Sequence, residues 1–101
     1  AVVLGMGSDG HTASFFPGGD TLDQALSEEG PTLAIRAPGA GEPRITFTLP
    51  RLLRADGLYL HIEGEEKAAV LDTALGDGPT QDMPIRAVLR SGHAVNVYWC
   101  P

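Results

Sequence analysis

The first seven residues, Ala1-Val2-Val3-Leu4-Gly5-Met6-Gly7, constrain the fold more than any other stretch. An apolar run that breaks on glycines has no polar face to offer solvent. It is the pattern of a central strand in an α/β sheet, with partners on both edges and helices on both faces. Strand 1–6 is therefore expected to need neighbours beyond those that 101 residues supply. The chain is expected to begin in the middle of a fold, as a portion of one α/β domain with no domain boundary in residues 1–101.

The rest of the pattern agrees with that class. A glycine-rich loop through Ser8-Asp9-Gly10-His11 leads to an expected helical turn at 12–16, stopped by Pro17-Gly18-Gly19. Residues 20–26 suggest a second helical turn, 33–36 a short extended segment, and 38–43 a Pro/Gly loop. The alternation in 44–49 predicts a strand. Pro50 opens a helix through Leu52, Leu53 and Ala55 that Gly57 should cap. A strand at 58–62 precedes a helix at 65–75, which has acids in its first turn and Gly76 beyond its last. Pro84 opens a short helix or turn at 85–89, and 94–99 predicts the final strand. Strands separated by helices imply a Rossmann-like layered, mostly parallel sheet flanked by helices.

Charge and composition narrow the partners. The net charge of −6 argues against a nucleic-acid surface, because phosphate contacts carry most of that affinity. Seven Lys and Arg still allow a local anion site. No apolar run approaches the ~20 residues of a membrane span, and no signal-peptide pattern opens the chain. A single cysteine, Cys100, excludes an internal disulfide framework, so the cytoplasm is the expected compartment. Three histidines without matching spacing give no metal signature.

Chemistry concentrates in Gly5-Met6-Gly7-Ser8-Asp9-Gly10-His11. Glycines after a strand let the backbone turn sharply and approach a ligand, at the end of the sheet where ligands bind in open α/β folds. His11 is the one residue there whose side-chain type, with an unperturbed pKa of ~6.5, suits a base near neutrality. Asp9 is placed to orient its imidazole if the loop folds back. Gly5, Gly7 and Gly10 match a dinucleotide fingerprint, but Asp9-Gly10-His11 is a poor start for the helix that fingerprint requires. The competing reading from residues alone is a surface turn with a solvated histidine.

The segment 5–18, ending Thr12-Ala13-Ser14-Phe15-Phe16-Pro17-Gly18, resembles the signature of 6-phosphogluconolactonases almost residue for residue. Arg44-Ile45-Thr46-Phe47-Thr48-Leu49-Pro50, Tyr59-Leu60-His61-Ile62-Glu63-Gly64-Glu65-Glu66-Lys67, Pro84-Ile85-Arg86-Ala87 and Val97-Tyr98-Trp99 agree in the family's order. The resemblance implies hydrolysis of 6-phospho-D-glucono-1,5-lactone to 6-phosphogluconate, with His11 as general base and no cofactor. It also implies that these residues are the C-terminal portion of the domain, and that an N-terminal half with a sugar-phosphate loop completes the site. The related glucosamine-6-phosphate deaminases share the loop but carry a glutamate five residues after the histidine, where this chain has Phe16. A deaminase-like isomerase and a non-catalytic sugar-phosphate-binding module are the alternatives.

Lys67 follows Gly64 in the first turn of a helix, where exposed N–H groups favour an anion. By resemblance to the deaminases it binds the sugar phosphate; otherwise it is a surface lysine offsetting Glu63, Glu65 and Glu66. Arg44 is a second phosphate candidate, or a partner for a carboxylate at the sheet edge. Gly7 and Gly10 are expected to contact substrate through the loop backbone. His61 reads as a strand residue that packs or hydrogen-bonds, His93 as a solvated turn residue, and Tyr98 and Trp99 as core.

Overall fold

A computed structural model describes residues 1–101. Three parallel strands form the main sheet: β1 (Val2–Leu4), β4 (Leu58–Glu63) and β5 (Val95–Cys100), in the order β1-β4-β5. The register pairs Val2 with Leu58 and Leu4 with Leu60 on one side of β4, and Leu58 with Val95 through Glu63 with Cys100 on the other. Between β1 and β4 the chain builds α1 (Leu22–Ser27), β2 (Thr32–Ile35), a 3-10 turn (Pro38–Ala40), β3 (Arg44–Phe47) and α2 (Leu49–Leu52). β2 and β3 pair antiparallel as a separate two-stranded sheet, so the layered α/β arrangement is mostly parallel, with one hairpin attached. α3 (Gly64–Leu75) and α4 (Ile85–Leu89) connect β4 to β5.

Alternation along β4 decides where the core sits. Leu58, Leu60 and Ile62 are buried, while Tyr59, His61 and Glu63 turn the other way. Leu4, Met6 and Phe15 join Leu60 and Ile62 beneath the sheet, together with Leu22, Ala25, Ile35, Leu49, Leu52, Ala74, Ile85 and Val88. The opposite face is bare in this chain. β1 and β5 both have an open outer edge, and on the bare face Val3 is 70% and Tyr98 60% exposed; Trp99, opposite Ile62 on the other face, is 46% exposed.

Four expectations need correction. The strand expected at 1–6 pairs only over Val2–Leu4 and on one edge, because Gly5 leaves the ladder and its carbonyl accepts the Thr12 hydroxyl at 2.6 Å. The helical turn expected at 12–16 is a tight turn in which Thr12 and Phe15 form an isolated bridge. Its polar groups reach outward: the Ser14 N–H points to Thr46 Oγ1, 32 residues away. Gly57 does not cap α2, which ends at Leu52; its carbonyl instead accepts the Val2 N–H at 2.9 Å and joins the sheet. Tyr98 and Trp99 are not core. The Trp99 indole donates to the Gly64 carbonyl at 2.8 Å, with much of its ring open to solvent.

Candidate functional site

The carboxyl ends of β1 and β4 define one end of the sheet, and the chain leaving β1 builds a closed loop there. The Gly7 N–H donates to the His11 carbonyl at 2.9 Å, and the Gly10 N–H to the Gly7 carbonyl at 3.0 Å. Gly10 has φ +82°, a left-handed geometry that glycine adopts without penalty. Its carbonyl accepts the Ile85 N–H at 2.8 Å, which anchors the loop to the start of α4. On the other side the Ser8 hydroxyl donates to Glu66 Oε1 at 2.5 Å, tying the loop to α3.

His11 is held from three directions. Its ring stacks on Phe16, with centroids 4.2 Å apart and planes 21° from parallel. Its edge packs against Gly7 so closely that a Cβ there would sit 2.2 Å from the ring atoms. Its Nδ1 lies 2.5 Å from Asp9 Oδ1, which also accepts the His11 N–H at 3.0 Å. Partial burial pushes the Asp9 carboxyl pKa up, but the bonds from the His11 backbone and ring, with the imidazolium charge, outweigh it. They hold Asp9 below its ordinary value. Asp9 is thus a carboxylate at neutral pH, and the imidazole tautomer that donates to it carries a proton on Nδ1 and leaves Nε2 as an acceptor.

His11 lines a hollow of about 390 Å³ with Gly5, Met6, Gly7, Thr12, Ala13 and Lys67. A second hollow of about 400 Å³ adjoins it, sharing Gly5, Met6 and Lys67 and adding His61, Ile62 and Glu63. Lys67, half-buried in the first turn of α3, spans the two. Its ammonium donates to the Met6 carbonyl at 2.5 Å. An ammonium has three donors, so two remain for a ligand. Arg44 reaches the same neighbourhood through Phe16, with its guanidinium 5.6 Å from that ring's centroid and donating to the Ala40 carbonyl at 3.4 Å. No carboxylate of this chain lies within ion-pair distance of Arg44.

Asp9, His11, Gly7 and Lys67 are therefore gathered at one cleft, with Arg44 behind Phe16 and Gly10 at the base of the loop. The N–H groups of Gly7 and Gly10 close the loop itself, which leaves the glycines a role in shape. His61 lies on the outer face of β4, 54% exposed, and His93 is exposed in its turn. Sequence reasoning missed Thr12 and Ala13, and missed the contact that Phe16 makes. Thr12 is fully buried and staples the loop to Gly5. Ala13, on the cleft wall, has φ +50°, a strained value for a residue with a Cβ. Phe16 is the platform for the imidazole. No local pattern announces Thr12 or Ala13 as site residues, in a stretch whose sequence suggests a helical turn stopped by Pro17.

Comparison with known proteins places this arrangement. Residues 1–99 match the family described as Glucosamine-6-phosphate isomerases/6-phosphogluconolactonase. A 6-phosphogluconolactonase of Rhizobium meliloti (strain 1021) is 52% identical, covering 99% of this chain and 44% of the relative. The corresponding protein of Pseudomonas putida is 38% identical over 99% of this chain and 41% of its own length. Among solved structures, a 6-phosphogluconolactonase from Shewanella baltica OS155 superposes with a TM-score of 0.92 at 41% identity, covering 97% of this chain and 42% of that one. A monomeric glucosamine-6-phosphate deaminase, 20% identical with a TM-score of 0.72, shares the fold. The chain thus spans less than half the length of the relatives it matches.

Proposed function

Since the chain belongs to the family of glucosamine-6-phosphate isomerases and 6-phosphogluconolactonases, we propose that it carries the catalytic loop of an enzyme hydrolysing 6-phospho-D-glucono-1,5-lactone to 6-phosphogluconate. The observation that carries this reading is the immobilised imidazole, with Nδ1 on an ionised Asp9, its ring clamped between Gly7 and Phe16, and the cleft lined by His11 and Lys67 together.

In the mechanism, His11 Nε2 accepts a proton from water as the water oxygen bonds to the lactone carbonyl carbon. The bond from that carbon to the ring oxygen then breaks, and the ring oxygen takes the proton from the imidazolium to become a hydroxyl. Asp9 stabilises the transient imidazolium and keeps the tautomer fixed. Because Gly7 and Gly10 spend their N–H groups inside the loop, we assign the oxyanion to the backbone just after His11, at Thr12 and Ala13. Lys67 holds the phosphate with its remaining donors, and Arg44, over the far side of the His11–Phe16 stack, is the second cation assigned to it. Ester hydrolysis of this kind needs a base, an oxyanion site and positioning, so no cofactor enters the proposal.

Phe16 favours the lactonase over the deaminase within the family. It puts a buried apolar ring on the imidazole at the position where the deaminases carry a glutamate. We take the stretch of the relatives that this chain does not span to complete the cleft, and the cytoplasm to be its compartment. The test is acid release from the phosphorylated lactone by the full-length protein, with ammonia release from glucosamine-6-phosphate measured in parallel. A lactone rate above the spontaneous one, with no ammonia, is expected. Ammonia release would move the protein to the deaminases, and lactone binding without turnover would make it a binding module.

A further inference from the structure

Outside the base and its loop, the fold brings together three side chains that sequence spacing keeps apart. His61 and Glu63 are two residues apart on β4 and so share a face. Cys100 on β5 is the direct register partner of Glu63 across the parallel pair, which puts its thiol on that same face. One ligand atom of each of His61, Glu63 and Cys100 lies within 4.8 Å of the others, and His61 Nε2 is 3.5 Å from Glu63 Oε1. Bond lengths of ~2.0–2.3 Å around tetrahedral zinc separate neighbouring ligand atoms by about 3.3–3.8 Å. The His–Glu pair already stands at that spacing. The remaining closure needs only side-chain rotation, because all three residues are exposed and Cys100 is a free thiol.

We propose that His61, Glu63 and Cys100 form a site for a borderline-soft divalent cation, Zn²⁺ by chemistry, on the outer face at the carboxyl ends of β4 and β5. The donor set is imidazole nitrogen, carboxylate oxygen and thiolate sulfur. Thiolate and imidazole select zinc over magnesium or calcium, which prefer all-oxygen shells. Binding exchanges the Cys100 thiol proton for the metal and releases it to solvent, so affinity rises with pH. Three protein ligands leave a fourth position open, the arrangement of zinc sites that take water or an anion. His61 and Glu63 also line the hollow that Lys67 reaches, so the ion adds positive charge beside the ammonium assigned to phosphate. The metal site itself rests on the pairing of β4 with β5 and stands whether or not the lactonase reading holds.

The test is a Co²⁺ titration of the reduced full-length protein, followed by its thiolate-to-cobalt charge-transfer absorption and by Zn²⁺ competition. The expected result is a thiolate band saturating at one ion per chain, displaced by Zn²⁺ and absent in Cys100→Ser. His61→Ala and Glu63→Gln each lower Zn²⁺ affinity by more than roughly tenfold, a loss that even an outer-sphere partner can bring. His11→Gln keeps the band, which separates this site from the catalytic loop. No thiolate band, or a band unchanged in both His61→Ala and Glu63→Gln, overturns the proposal. A band lost in His11→Gln overturns it too, by moving the ion to the other histidine. All three ligands are exposed, so circular dichroism matching the parent is expected for each variant.

Discussion

Gly7 and His11 act as one unit, because the imidazole occupies the volume that a side chain at residue 7 would need. A methyl there overlaps the ring, and the ring has Phe16 and Asp9 on its other sides, so it must swing away from both. Gly7→Ala should therefore cut kcat by about a hundredfold, the usual result of misplacing a reacting group by ~1 Å. Stability should change little, since no left-handed backbone geometry is required at Gly7. Steady-state kinetics and a urea midpoint together check this; a large fall in midpoint would make Gly7 structural. Lys67 makes a different prediction. Losing a charge-assisted hydrogen bond worth about 1.5–3 kcal/mol should lower kcat/KM of Lys67→Ala by roughly ten- to a hundredfold, mainly through KM. The same variant should hydrolyse the lactone without phosphate as the parent does. Equal losses on both substrates would point to the Met6 bond, and hence to positioning of the loop, as the role of Lys67.

Among the elements, α3 and α4 are joined by a buried charge with no carboxylate. Arg86, 4% exposed, donates to the carbonyls of Thr73, Ala74, Asp77 and Pro79, each at 3.1 Å. These include the Thr73 and Ala74 carbonyls of the last turn of α3, at the negative end of its dipole; Thr73 also accepts the Gly76 N–H. The guanidinium also packs on Gly78, where a Cβ would meet it at 2.3 Å. Arg86→Ala should destabilise by about 2–4 kcal/mol, and Arg86→Lys should recover only part of that, because one ammonium cannot serve four diverging acceptors. Chemical denaturation reads both; a loss below 1 kcal/mol would show that water replaces the guanidinium freely. Periodicity and glycine or proline punctuation made most elements legible in advance, including both strands flanking α3 and the helix itself. Arg86 was not legible beyond a family likeness, since its partners lie at the far end of another helix. The turn at 12–16 was misread for a related reason. Its hydrogen bonds run to Gly5 and Thr46, and no local pattern reveals that competition with helix. At the site, chemistry picked out Asp9, His11 and Lys67, but only the fold shows that they meet. Exposure of Tyr98 and Trp99 could not be read at all, because apolar strand residues look alike whichever chain segment covers them.

For the molecule as a whole, compactness and completeness part ways. A radius of gyration of 12.6 Å is close to the ~13 Å of a finished domain of this length. Yet the sheet has two open edges, and Val3, Ile45, Phe47, Val97, Tyr98 and Trp99 lie on the surface. Unpaired strand edges with apolar neighbours promote association between chains. We therefore expect the isolated 101 residues to self-associate and to show no lactonase activity, with activity returning when the separately expressed remainder of the protein is added. Sedimentation and a lactone assay check this, and a monomeric, active chain would contradict it. The central claim, that His11 is the general base of a lactonase, is tested most directly by the turnover of the phosphorylated lactone in full-length protein carrying His11→Ala. The account predicts a fall in kcat of roughly 10²–10⁴ with a smaller change in KM. Near-normal turnover in that variant would contradict it.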